Sequence, residues 1–530
     1  MPTTIRARFR RLLRFLSNLL RSIWLFFPGI LFLIFTLMVF WTLGQGKDII
    51  VAFTENKSRT ILNFNYTRTI FFVAIGFWVY VSWYSSRIIS YIKRSKQVDT
   101  IQELASMDRP SAEQVYESKK DSIELTSAFL SEVPRQIGNA CFLILEIAVL
   151  RSPLLEKPIP MLTGIIILLV GLVITGFANN WIQRRQAAKP YFRRLFYIYL
   201  FVLLGLIILV SFGPRINIHI LLGMLILLHL LFILYINLRR VEVEQRGEAI
   251  RAAGTRYTVS GQVGIQEKVM NFFCVPLKES GYFKWFLIIS LSGIIIYVLV
   301  IWFLHVARAI GPFPFILLAF GVLLAFGNIV TALSLRYKIN MHFILICIAL
   351  LAGTAETHYV RTVTAETGNG YNNRPDLATY FRAWINDRKG ALDSVDQYTV
   401  YFVLANGGAS RSAYWTAAAL GKLEDSSLFY HPADRFSDHV FAVSGTSGGG
   451  VGVAAFFSML RMKQANQQPV YNQSARAYLR KDYFTYTFAR MLGPDFFNYI
   501  FHVTTTGDRA AALESSFEDT SYTVAPENIR

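Results

Sequence analysis

The chain of 530 residues is 53% apolar and only 16% charged, with a mean hydropathy of +0.39. Soluble proteins carry about a quarter charged residues, so this composition excludes a wholly soluble globular chain. The net charge of +19 does not indicate nucleic acid, because the basic residues are spread over loops between apolar runs, with no aromatic-interleaved binding motif.

Residues 1–22 read as a basic amphipathic segment. At about 100° per residue, Ile5, Phe9, Leu12, Leu16 and Leu19 share one arc, opposite Arg10, Arg11, Arg14 and Arg21. Such a helix suits an anionic leaflet, and the same basic flank equally serves to set topology. No small-residue cleavage site follows, so the next apolar run is expected to be a retained signal anchor.

Residues 23–355 are expected to form a transmembrane domain of about nine helices, at 23–43, 69–89, 136–150, 161–179, 195–213, 217–236, 284–304, 309–331 and 340–354. The third and ninth are short for a hydrocarbon layer of about 30 Å. Trp24 and Trp41, and Trp285 and Trp302, bracket two spans as interfacial pairs would. Loops 93–135 and 237–283 read as solvated cytoplasmic elements. Connections alternate between rich and poor in Lys and Arg, which places the N-terminus in the cytoplasm and, over nine spans, the C-terminal domain on the outer face. Losing either short span inverts that result. Of the ionisable groups inside spans (Glu146, His219, His229, His305 and His342), Glu146 is expected to pair locally with Arg151, and the rest read as structural. Cys141, Cys274 and Cys347 are widely separated, form no disulfide framework and read as small hydrophobes.

Residues 356–397 read as a linker and packing helix, opened by Pro375 and Asp376 and closed by Gly390, with Leu377, Phe381, Trp384 and Ile385 on its apolar face. Tyr398–Leu404 is a continuous apolar run that predicts a strand buried on both faces. It leads into Asn406-Gly407-Gly408-Ala409-Ser410-Arg411 and then a helix over 412–423. The logic repeats: a strand over 439–443, then Gly445-Thr446-Ser447-Gly448-Gly449, then a helix over 451–460. A GxSxG between strand and helix is a nucleophile elbow in its required context, and the first turn aims N–H groups at a shared space. A phosphate-binding loop is excluded, since no GKS or GKT follows the glycines.

These two turns resemble the patatin-like phospholipase family, specifically its membrane-embedded bacterial type. That family pairs a glycine-rich oxyanion loop of GGGxxRG kind with a GxSxG elbow, and completes a Ser–Asp dyad with a later Asp-Gly-Gly or Asp-Gly-Ala. The resemblance implies an α/β hydrolase domain over 398–530. In it, Ser447 would be the nucleophile, the N–H groups around Gly407, Gly408 and Ala409 would form the oxyanion hole, and Gly445, Gly448 and Gly449 would shape the elbow. Arg411 would support the loop or contact a phosphate. Two departures stand out: Ala409 replaces the third loop glycine, and no Asp in the chain precedes a Gly. The dyad Asp is therefore unknown, and it is expected beyond the last residue, with the hydrolase domain incomplete at its C-terminus. A Ser447 triad with Asp482 or Asp495 and His502 has the right chain order but reads as packing.

The resulting expectation is a membrane-bound serine lipid acyl hydrolase acting on phospholipids or other acyl esters in a bacterial cytoplasmic membrane, needing no metal or cofactor. The alternatives are a non-catalytic lipid-sensing or transport protein, and an acyltransferase using the same serine.

Overall fold

The computed structural model describes residues 3–55, 64–105, 109–185, 189–213, 215–252, 264–352, 374–461, 470–501 and 507–519. The chain divides into two compact units, Met1–Thr357 with Phe484–Arg509, and His358–Tyr483 with Ala510–Arg530.

The first unit is helical: α1 (Thr3–Leu25), α2 (Phe27–Trp41), α3 (Gly44–Glu55), α4 (Tyr66–Ala105), α5 (Arg109–Leu150), α6 (Met161–Arg184), α7 (Lys189–Phe212), α8 (Ile218–Ala252), α9 (Ile265–Phe272), α10 (Ser280–Trp302), α11 (Leu304–Ile310), α12 (Pro312–Tyr337) and α13 (Met341–Ala352). Among the described residues, seven stretches are long and apolar enough to cross a membrane, and an eighth is added if the bent α1–α2 pair counts as one. This chain is a multi-span membrane protein.

Three expected spans differ in detail. The first is broken at Phe26, where α1 and α2 meet at 77°. Pro28 lies in the first turn of α2, where a missing N–H costs no helical bond. The third is not short: it runs over Ala128–Leu150, 23 residues, because the helix continues through the polar Ser131, Glu132, Arg135 and Gln136. The ninth, α13, has 12 residues, about 18 Å at 1.5 Å each, up to Ala352, and the chain from 353 to 373 lies outside the described residues. Trp24, Trp285 and Trp302 are exposed as expected of interfacial side chains, but Trp41 is fully buried. Its indole N–H donates to the Ile144 carbonyl at 2.9 Å.

The core centres on α4, whose Phe71, Trp78, Trp83 and Tyr84 are fully buried. The end of the 237–283 connection is not simply solvated. Glu279 is buried, accepts from Arg87 at 3.1 Å and from Arg239, and so ties α8 and the start of α10 to α4. Arg239 lies against the rings of Trp83, Tyr84 and Tyr282, so its charge is matched by a carboxylate and by aromatic faces.

The second unit holds α14 (Leu377–Asn386), α15 (Lys389–Leu392), β1 (Tyr401–Ala405), α16 (Ala409–Tyr430), α17 (Phe436–His439), β2 (Val440–Gly445), α18 (Gly448–Arg461) and α19 (Tyr471–Leu479). Asp376 caps α14 by accepting from the N–H groups of Ala378 and Thr379, each at 3.0 Å, as Asp does at an N-cap. Trp384 and Phe381 pack on Phe441 of β2. Gly390 does not end this helix but lies within α15. The strands pair in parallel, with Leu404 opposite Ser444 and Ala405 opposite Gly445.

β1 is not buried on both faces: Phe402 and Leu404 are 63% and 80% exposed. Phe402 and Leu404 alternate onto one face, and that face is left largely uncovered; β1 and β2 form the whole sheet among the described residues. A two-stranded sheet does not by itself establish an α/β hydrolase domain. The alanines of α16 let it pack closely on α18 and α19, with Ala413, Ala417, Met459, Tyr471 and Ala475 forming one buried cluster. Asp425 caps α19 through the N–H groups of Tyr471 and Asn472, both at 2.8 Å.

The chain then continues into α20 (Phe484–Arg490), a π-helical turn (Met491–Asp495) and α21 (Phe496–Phe501), which belong to the first unit, before α22 (Arg509–Glu518). The Tyr297 hydroxyl of α10 donates to the Leu492 carbonyl at 2.5 Å, and the Arg490 guanidinium lies over Trp302, 5.0 Å from the ring centroid. Within 398–530, residues 484–509 thus group with the first unit and the remainder with the second.

Candidate active site

The two glycine turns of the second unit come together. The carbonyl of Ala405, the last residue of β1, accepts from the N–H of Thr446 at 3.0 Å, so the strand pairing carries on into the turns. Ser447 has φ 53°, in the left-handed region, where a side chain costs roughly 1–2 kcal/mol per residue. Strain of this kind at the tip of a strand–turn–helix is what a nucleophile elbow requires. The Ser447 side chain is exposed, and within the described residues its hydroxyl makes no hydrogen bond.

Two close approaches fix the geometry. A Cβ on Gly407 would stand 3.2 Å from the Ser447 Cβ and 3.8 Å from its Oγ, so the first loop runs directly beside the serine. A Cβ on Gly448 would stand 1.9 Å from the Ala409 carbonyl oxygen, a distance no side chain tolerates. Ala409 itself has φ 51°, a conformation that favours glycine.

α16 begins at Ala409 and α18 at Gly448, so both helices direct their N-terminal ends at the serine. Within the described residues the N–H groups of Gly407, Gly408 and Ala409 have no acceptor. Open donors at two helix starts beside an exposed hydroxyl suit negative charge developing on an atom attached to that hydroxyl. Ser412 donates its hydroxyl to the Asn406 carbonyl, which closes the loop from behind. Arg411 lies exposed in the first turn of α16.

No family model, curated protein or solved structure matches this chain.

Other expected residues are dispersed. Asp495 belongs to the first unit, where it is buried with Arg509 at 3.8 Å, and His502 lies outside the described residues. The sequence reading missed a His–Asp pair, His439 Nε2 with Asp434 Oδ1 at 2.5 Å. His439 precedes β2, six residues before Gly445, about 20 Å away at 3.3 Å per residue, so it does not serve Ser447. Glu146 does not pair with Arg151 but with His229 Nδ1, at 3.0 Å. Arg151 instead donates to the carbonyls of Ile159 and Trp41. His342 shares a hydrogen bond of 2.8 Å with Thr331, and His219 and His305 are exposed. Among the described residues no group of three His, Cys, Asp or Glu side chains could hold a metal ion.

Proposed function

We propose that this protein is a membrane-bound serine lipid acyl hydrolase of the patatin-like kind. Ser447 Oγ attacks the carbonyl carbon of an acyl ester, its proton passes to a base, and the electron pair of the carbonyl moves onto oxygen. The N–H groups of Gly407, Gly408 and Ala409 hold that oxyanion, each donor worth about 10²–10³ in turnover. The alcohol leaves, and water hydrolyses the acyl-serine. The observation that carries the reading is the left-handed Ser447 with the Gly407 backbone directly beside it. Seven membrane-length apolar helices in the same chain favour a substrate already held in a bilayer, a phospholipid or another lipid ester.

Orientation belongs to the same proposal. Counting the bent pair and α13 as crossings makes nine, which puts the second unit opposite the N-terminus, on the outer face of a bacterial cytoplasmic membrane. A topology reporter fused at about residue 360 reads the side directly.

The functional test is release of fatty acid from phospholipid vesicles containing the full-length natural protein. Release by wild type and none by Ser447→Ala supports the proposal, whereas equal release by both ends it. Transfer of the labelled acyl chain to an added alcohol with no free acid would assign an acyltransferase instead.

A further inference from the structure

One buried charge cluster in the membrane unit has more cations than carboxylates and more donors than acceptors. Glu279, at the start of α10, takes hydrogen bonds from two guanidiniums, Arg87 of α4 at 3.1 Å and Arg239 of α8. One carboxylate against two cations leaves one positive charge in excess, and a buried uncompensated charge is costly. On its far side, Tyr282 donates its hydroxyl to Glu242 and lies under the Arg246 guanidinium. Those two charges are opposite, so the excess stands.

The same cluster holds three donors without an acceptor. The indole Nε1 of Trp83, the hydroxyl of Tyr84 and the Nε of Arg239 are buried, and within the described residues none of them makes a hydrogen bond. Trp83 and Tyr84 are fully buried, and Arg239 is 2% exposed. The three are neighbours. The Arg239 Cζ stands 5.1 Å from the Trp83 ring centroid and 5.6 Å from that of Tyr84, and the two rings meet edge to face at 5.7 Å. A buried donor left unmade costs free energy, and native proteins account for such groups with a bound water or ion.

Chemistry narrows the choice. A water molecule would need acceptors for its own two hydrogens, and both Glu279 oxygens are already engaged. A phosphate or carboxylate needs a wide pocket, whereas these rings pack closely, with Tyr84 stacked on Phe286 at 4.7 Å. A halide is a single atom that accepts from N–H and O–H donors alike and carries the one negative charge required. We propose that chloride binds among Trp83, Tyr84 and Arg239 and ties α4 to α8 beside the Glu279 bridge. Arg87, with 19% of its side chain exposed, gives the cluster its access to solvent.

The inference is independent of the hydrolase reading. Its test melts the full chain in detergent, with chloride replaced by gluconate at constant ionic strength. Raising chloride to about 100 mM should raise the unfolding midpoint by about 5 °C. Bromide should act alike, and sulfate should not. Tyr84→Phe keeps the ring and deletes one donor, so at least half of the halide response should be lost while the midpoint in gluconate does not fall. Arg87→Gln removes the excess charge and should shift the response to about tenfold higher chloride. A midpoint indifferent to halide, or one that sulfate raises equally, would overturn the proposal. So would a Tyr84→Phe protein with the full wild-type response, or one more stable than wild type even in saturating chloride, since its hydroxyl would then have had no ligand.

Discussion

Gly448→Ala perturbs the meeting of the two turns while leaving every functional side chain in place. The added Cβ would stand 1.9 Å from the Ala409 carbonyl oxygen and 2.7 Å from its carbon. Both are backbone atoms, so no rotamer change relieves the clash, and one turn must retreat by about 1 Å or more. Overpacking of this kind costs about 1–3 kcal/mol of stability, less than a domain's usual margin of about 5–15 kcal/mol. A 1 Å misplacement of catalytic groups costs about 10²-fold in rate, comparable to losing one oxyanion donor. The rate of Ser447 acylation by a fluorophosphonate should therefore fall about 100-fold while near-ultraviolet circular dichroism stays native. Gly450→Ala is the control, since its Cβ meets the Gly445 carbonyl oxygen at 3.0 Å, and it should cost less than about tenfold. Acylation of Gly448→Ala within about twofold of wild type would show that the approach of the two turns does not matter to the chemistry.

Ala409→Gly removes a side chain from a residue at φ 51° and should stabilise the second unit by about 1 kcal/mol, read as a raised unfolding midpoint with acylation retained. Glu424 is buried and accepts from the Ser437 N–H and hydroxyl at 2.8 and 2.9 Å. Burial raises its pKa, while the Ser437 hydrogen bonds oppose the rise. The folded state therefore keeps this proton where the unfolded state has lost it, so stability falls as pH rises from the ordinary glutamate value through the raised one. Glu424→Gln should flatten that part of a stability–pH profile, and an unchanged slope would dismiss Glu424 as its source. His229→Leu leaves Glu146 buried without its partner and should cost about 1–2 kcal/mol. Adding Glu146→Leu should restore most of that loss in detergent melting, because two matched apolar side chains replace the pair.

The long spans were legible because length and apolarity are local properties that hydropathy reads directly. The two glycine turns were legible for a similar reason: strand, glycines and helix follow one another within a dozen residues. What escaped depends on partners distant in the chain. His229 meets Glu146 across 83 residues, so the nearby Arg151 was the natural but wrong choice. The return of 484–509 to the membrane unit was hidden by Arg490 and Asp495, whose charges made the stretch read as soluble although both are buried. A usable signal was present in the aromatic density of 483–501 around Gly493, where a Cβ would meet Ile301 at 2.5 Å. The bend at Phe26 had a weaker one in Pro28, which favours a helix start. The exposed face of β1 could not be read at all, since an apolar run states what a strand would bury and not whether anything covers it.

The most direct measurement is the site of covalent modification in the full-length natural protein after fluorophosphonate treatment, located by peptide mass spectrometry. The account predicts a single adduct on Ser447, absent from Ser447→Ala and about 100-fold slower to form in Gly448→Ala. An adduct on another serine, or none on a folded protein that still releases fatty acid, would contradict it.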